Sequence, residues 1–179
     1  HVLIRNGKCF VTLGLQQAHC PVSFLPSVAF PHPVSMGDYR FTRSPDEPGI
    51  LHLQHVPLAP GLPVAEQFLA GRRALLQTSF ETFERNVRDQ LGRMLGPGGF
   101  DSAREIAGIT VNRWPHGYAY EYNSLWDPLW SEEKQPCVIG RQAFGRMSIA
   151  NSDAGAYAYI DSAIDQAFRA VQETLARSD

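Results

Sequence analysis

The sequence predicts a mixed fold, α/β or α+β, on three observations. The first 60 residues are rich in proline and turn formers and carry short β-type runs. Helical patterning then fills residues 63 to 107. Extended sequence returns before one strongly periodic helix near the C-terminus.

Taken in order, Val2-Leu-Ile4 opens as a strand-like run directly behind His1, as expected of a chain cut or processed from a longer polypeptide. Residues 30 to 41 cannot be helical, because Pro31 and Pro33 remove amide donors and push their neighbours to extended angles. Ile50 to Val56 reads as a strand between Pro48-Gly49 and Pro57. Pro63 suits a first helical turn and leads a helix over Val64 to Leu76. Thr78-Ser-Phe-Glu81 reads as a capping box for the next helix. That helix places Phe80, Phe83, Val87, Leu91 and Met94 on one face, with Arg85, Arg88, Asp89 and Arg93 towards water. Gly96-Pro-Gly-Gly99 stops it, and a shorter helix covers Ser102 to Ala107. Ile109 to Trp114, Cys137 to Ile139 and Met147 to Ala150 read as extended. In the last helix Ile160, Ala163, Ile164, Ala167, Phe168, Val171 and Leu175 recur at helical spacing, which predicts packing along its whole length.

Composition narrows the function classes. The 179 residues are 44% apolar and 19% charged with a net charge of −2, which gives no overall electrostatic footprint for nucleic acid or an anionic membrane. No apolar run approaches the roughly 20 residues that span a bilayer. The end, Glu173 to Asp179, shows no lipidation or retention tag. Cys9, Cys20 and Cys137 make neither a disulfide framework nor a zinc pattern. A single Cys9–Cys20 bridge and three separate thiols both remain open, and with them the redox compartment. The six histidines have no metal-ligand spacing, so no metal site is expected. The chain contains no G-x-S-x-G, H-E-x-x-H or phosphate-binding P-loop.

Two features carry chemistry. All three tryptophans (114, 126, 130) and five of the six tyrosines (118, 120, 122, 157, 159) lie between 114 and 159, near Gly117, Gly140, Gly145 and Gly155. Core strands use aromatics, which accounts for part of the cluster. Aromatic walls beside glycines also suit a planar cofactor or an amine cation. The second feature is a predicted strand–turn–helix over Met147 to Asp161. Its turn holds Asn151, Ser152, Asp153 and Gly155. Free amides at a helix start favour negative charge, as on a reduced flavin, and Asp153 can accept from ribityl or ribose hydroxyls. Alternatively, Asn151, Ser152 and Asp153 only cap the helix. No G-x-G-x-x-G is present to hold a dinucleotide pyrophosphate.

The runs Ile109 to Asn123 and Ile139 to Tyr159 are similar to segments of bacterial spermidine dehydrogenases, and Val34 to Pro48 and Phe83 to Leu91 fit the same family. These enzymes belong to the wider flavin amine oxidases. The resemblance implies the C-terminal part of a two-domain FAD amine-oxidase fold. Residues 1 to 110 would be mainly the substrate-binding domain, and 111 to 179 the return to the FAD domain with its closing strand and helix. The dinucleotide-binding portion, in the same gene or a separate chain, would be the partner. Arg113-Trp114 and Gly117-Tyr118 match a family pattern beside the flavin. Tyr159-Ile-Asp-Ser-Ala163 matches the run that closes the flavin site, with Ser162 where glycine is commoner.

Carried over, Tyr118 and Tyr159 would line the cleft before the flavin, with Trp114 close by. Arg113, Gly117, Asn151, Ser152, Asp153, Ile160, Asp161 and Ala163 would contact the cofactor. Two roles are separate readings for Glu121: holding the distal ammonium of a polyamine, or standing as a solvated strand carboxylate. The implied activity is oxidation of an amine C–N bond by hydride transfer to FAD, with an amine as substrate. The alternative is a non-catalytic remnant or assembly module that binds no flavin. The family is also associated with a haem electron acceptor, for which no attachment motif or axial ligand is evident here. A bacterial source is implied, with the periplasm ahead of the cytoplasm.

Overall fold

A computed structural model describes residues 1–125 and 127–177; Trp126, one of the clustered aromatics, and Ser178-Asp179 lie outside the described residues. The protein is a mixed α/β chain that divides into two compact units, His1–Pro115 and His116–Asp179.

The first unit is built on a five-stranded antiparallel sheet in the order β2-β3-β4-β1-β5. Its strands are β1 (Val2–Ile4), β2 (Gln17–His19), β3 (Ser27–Ala29), β4 (Gly49–Gln54) and β5 (Ile106–Ile109). The apolar run Val2-Leu-Ile4 becomes a central strand, pairing Val2 with Leu51 on one side and with Ile109 on the other. Because side chains alternate along a strand, Val2 and Ile4 point into the core while Leu3 faces out. A short helix α1 (Lys8–Leu13) follows β1 and buries Cys9 and Phe10. Burial pushes the Cys9 thiol pKa up. The three cysteines are free thiols, which removes the Cys9–Cys20 bridge.

Helix α2 (Val64–Gln77) starts behind Pro63 as its sequence implies, yet buries no residue. Helix α3 (Phe80–Leu95) supplies the other half of the core. Its buried stripe is Phe83, Val87, Gln90, Leu91 and Leu95, shifted from the expected face: Phe80 is exposed and Met94 is only partly buried. Each fully buried leucine or isoleucine here contributes about 1.5–3 kcal/mol. The cap is also one residue further along than expected. Ser79 Oγ accepts from the Thr82 amide, while the Thr78 hydroxyl donates back to the Ala74 carbonyl at the end of α2. The Glu81 carboxyl does not reach the Thr78 amide, which donates to the Ala74 carbonyl; its own amide and the Ser79 hydroxyl hold it below the usual carboxylate range. A 3-10 turn at Gly96–Gly98 ends α3, and Asp101 caps the short α4 (Ser102–Glu105). The expected extension of α4 to Ala107 is instead β5. The expected strand Ile109 to Trp114 is regular only to Ile109, with a last rung from the Thr110 amide to the His1 carbonyl.

Among the described residues the second unit contains two α-helices, α5 (Pro136–Gly140) and α6 (Ile160–Leu175), joined by loops and 3-10 turns. Cys137-Val-Ile139, expected to be extended, lies in α5, because Pro136 at the first helical position presets the helical φ. Met147 to Ala150 forms no strand; a lone bridge pairs Phe144 with Met147. Helix α6 forms over the expected span but is not packed along its length. Ile160, Ile164, Phe168, Val171 and Leu175 are each more than half exposed, and only Ser162 and Ala170 are buried. Among the described residues no helix is long and apolar enough to cross a membrane.

Candidate functional site

The second unit holds a cavity of about 640 Å³, within the size range of small-molecule and cofactor pockets. Tyr120, Tyr122 and Trp130 line it with both ends of α5 (Cys137 in its first turn, Gly140 and Arg141 at its close) and the turn residues Asn151, Asp153, Ala154 and Ala156. Tyr122 and Trp130 meet edge-to-face at 6.2 Å between ring centroids. The Tyr120 phenol donates to both oxygens of Asp127, at 2.8 and 2.9 Å, and Asp127 also accepts from the Asn123 amide at 2.6 Å. That clamp fixes the loop carrying the aromatic wall.

The turn before α6 differs from the expected strand–turn–helix. Residues Ser152–Gly155 form a 3-10 turn whose first amides are served by Asn151, which accepts from the Ala154 amide at 3.1 Å. Asn151 therefore caps this turn and not α6. Ala156 then takes a left-handed φ of 49°, strained for a residue with a Cβ, and redirects the chain towards Tyr157. Gly155 lies against α6: a Cβ there would stand 2.5 Å from Ser162 Oγ and 3.1 Å from Gln166 Nε2. The close approach at Ser162 is thus made by Gly155, from the neighbouring turn.

Among the described residues of this unit few apolar side chains are buried, and polar ties hold the pieces. Arg141 donates to the Ala154 carbonyl at 3.0 Å and lies 3.4 Å from Gln166 Oε1. Gln166 Oε1 also accepts from Arg169 Nε at 2.8 Å, while Arg169 pairs with Glu173 at 2.6 Å and donates to the Ile149 carbonyl. The network links α5, the 145–151 segment, the 3-10 turn and α6.

Helix α6 begins without a side-chain cap, since Tyr159 occupies the cap position. The Ile160 and Asp161 amides fall in the first turn, where partial positive charge collects. Tyr159 and Tyr157 stand with ring centroids 4.8 Å apart and planes tilted by 38°. Ile160 and Asp161 are exposed and Ala163 is half-buried. Glu121 is exposed, so its carboxylate is solvated, but it stands on a loop and not a strand; it accepts from the Ala158 amide at 3.0 Å and so anchors the segment leading to Tyr159.

Of the predicted site residues, the structure gathers Asn151, Ser152 and Asp153 in the turn, and Tyr159, Ile160, Asp161 and Ala163 at the helix start. Asp153 is among the residues that line the cavity. Tyr118 is 86% exposed, and the ring beside Tyr159 is that of Tyr157. Gly117 is exposed in the loop before it. Arg113 and Trp114 belong to the first unit. There Arg113 donates to the Thr78 carbonyl at 2.8 Å and lies over the Phe83 ring, which makes it a tether for the end of α2. Its Nε is buried without a partner among the described residues. Trp114 is exposed.

Sequence reading missed Arg141 and Cys137, since a single arginine or cysteine carries no spacing signal. It included Tyr120, Tyr122 and Trp130 only as members of the aromatic cluster. Among the described residues no three His, Cys, Asp or Glu side chains gather as metal ligands would. The sequence matches no protein-family model and no curated protein.

Proposed function

We propose that this chain is the C-terminal part of an FAD-dependent amine dehydrogenase acting on a polyamine-like substrate. The observation that carries the proposal is the open corner where the uncapped start of α6 adjoins the Tyr157–Tyr159 pair. A flat, electron-accepting ring needs an aromatic wall and hydrogen-bond donors where negative charge develops, and that corner offers both. The residues present fit the ring end of FAD. Ile160 and Asp161 would present amides, Tyr157 and Tyr159 an aromatic surface, and Asp153 an acceptor for ribityl or ribose hydroxyls. They do not supply a cradle for the pyrophosphate, so the cofactor would also need a dinucleotide-binding portion beyond these residues. The bare apolar face of α6 suits cover by such a portion.

When bound, FAD supplies the hydride-accepting chemistry for oxidation of an amine C–N bond. The protein's part is orientation. The tyrosine rings confine the amine nitrogen, with attraction between a cation and their faces aiding capture. The reacting amine must be neutral, so turnover rises with pH. Glu121 fixes the Ala158 amide and with it the direction of Tyr159.

The test uses the complete FAD-containing enzyme with spermidine. Tyr159→Ala is expected to lower kcat/KM at least about tenfold, equivalent to about 1.4 kcal/mol of transition-state stabilisation. The unfolding midpoint should hold, because Tyr159 is exposed. Unchanged turnover would overturn the assignment.

A further inference from the structure

The first unit carries an exposed amphipathic face that the amine-oxidising reading does not use. Helix α2 buries no residue, and Phe68, Leu69 and Leu76 are each more than half exposed. At about 100° per residue, Leu69 and Leu76 fall on one line along the helix, with Arg72 and Arg73 about 50° to either side. Both arginines are exposed and neither has an ion-pair or hydrogen-bond partner among the described residues. From Val56 to Gln77 the charges are two arginines against Glu66 alone.

The opposite side of α2 is already occupied. Gly71 lies about 150° from the leucine line, and a Cβ there would stand 2.8 Å from the Pro57 carbonyl oxygen. Gln67 donates to the Leu62 carbonyl at 2.6 Å, and Arg113 holds the last turn through the Thr78 carbonyl. The loop and the Arg113 tether thus support the helix from within and leave the leucine–arginine face outward.

We propose that this face of α2 rests on an anionic lipid surface. The leucine side chains enter the acyl boundary, with Phe68 at its edge about 90° round the helix, while arginine heads beside them meet phosphates, the pattern of helices that lie in a membrane interface without crossing it. Charge complementarity selects the anionic lipid, since a neutral surface would leave Arg72 and Arg73 without counter-charge. The patch is local, so the net charge of −2 does not oppose it.

The test is co-sedimentation of the full chain with vesicles of phosphatidylcholine alone and of phosphatidylcholine mixed with phosphatidylglycerol. Binding is expected only to the mixed vesicles, falling about tenfold or more in Arg72→Glu/Arg73→Glu and on raising salt to about 0.5 M. Leu69→Ser/Leu76→Ser, which keeps both charges, should also lose binding. Arg85→Glu, an exposed arginine on α3, should keep it. Circular dichroism checks that each variant is folded. Absence of binding to the mixed vesicles, as for a face that receives a protein, would overturn the proposal. So would equal binding to both vesicle types, or binding unchanged in the double arginine variant.

Discussion

Replacing Gly155 with alanine tests the packing that positions the start of α6. The added Cβ would meet Ser162 Oγ at 2.5 Å, Gln166 Nε2 at 3.1 Å and Gln166 Cγ at 3.4 Å, where ordinary contact lies near 3.5–4.0 Å. Neither neighbour can yield easily. Ser162 is 8% exposed in the first turn of α6, and Gln166 is held by Arg169 and Arg141. The turn or the helix start must therefore shift, at a cost of about 1–3 kcal/mol for overpacking. Ser162→Gly removes the obstructing side chain and by itself costs about 0.5–1 kcal/mol as a glycine within a helix. In the Gly155→Ala background the same change should restore stability, giving a coupling of about 1–2 kcal/mol between the sites. Hydrogen-exchange protection of the α6 amides in the four proteins reads the local effect. Additivity within about 0.5 kcal/mol, or a fully stable Gly155→Ala protein, would refute the reasoning.

Gln90 is 7% exposed, accepts from the Leu25 amide at 3.1 Å and donates to the Leu25 carbonyl at 2.7 Å. Gln90→Leu strands both backbone groups, at about 1–3 kcal/mol each, and should lower the urea midpoint; an unchanged midpoint would contradict the assigned role. Lys8, through a hydrogen bond and its charge at 2.9 Å, holds the Asp46 carboxyl below the usual carboxylate range. A depressed folded-state value gives stability that is present above the unfolded value and lost as pH falls through the folded one. The small difference between wild type and Asp46→Asn should therefore vanish in strong acid and be screened by salt at neutral pH. An equal difference at both pH extremes in thermal melts would disprove this.

Where side-chain pattern alone decides local structure, the sequence was informative. Ile50 to Val56 is bounded by prolines and forms β4 over most of its length, and the 3.6-residue rhythm marks α3 and α6. Three-residue strands such as β2 and β3 offer too few alternations to stand out, because tertiary pairing makes them. Cys137-Val-Ile139 has strand-like composition, but Pro136 and local hydrogen bonds close it into a helical turn. Periodicity identified the apolar face of α6 but could not tell whether anything covers it. In the site, the Asn151-Ser-Asp153 turn was evident from residue types that favour caps. The αL residue Ala156 hid which helix they cap, because alanine gives no hint of a positive φ. The resemblance implies that Tyr118 and Tyr159 line one cleft, while the ring in contact with Tyr159 is that of Tyr157, a neighbour that no motif singles out.

The sheet of the first unit imposes an order on synthesis and collapse. Strand β1 lies between β4 and β5, so Val2 finds Leu51 early but waits for Ile109 to complete its other side. Pairing across such sequence distances slows folding, because chain-closure entropy is spent before the contact is gained. Until β5 arrives, a central strand presents unpaired amides and carbonyls along one edge, a surface open to wrong partners on the ribosome or during refolding.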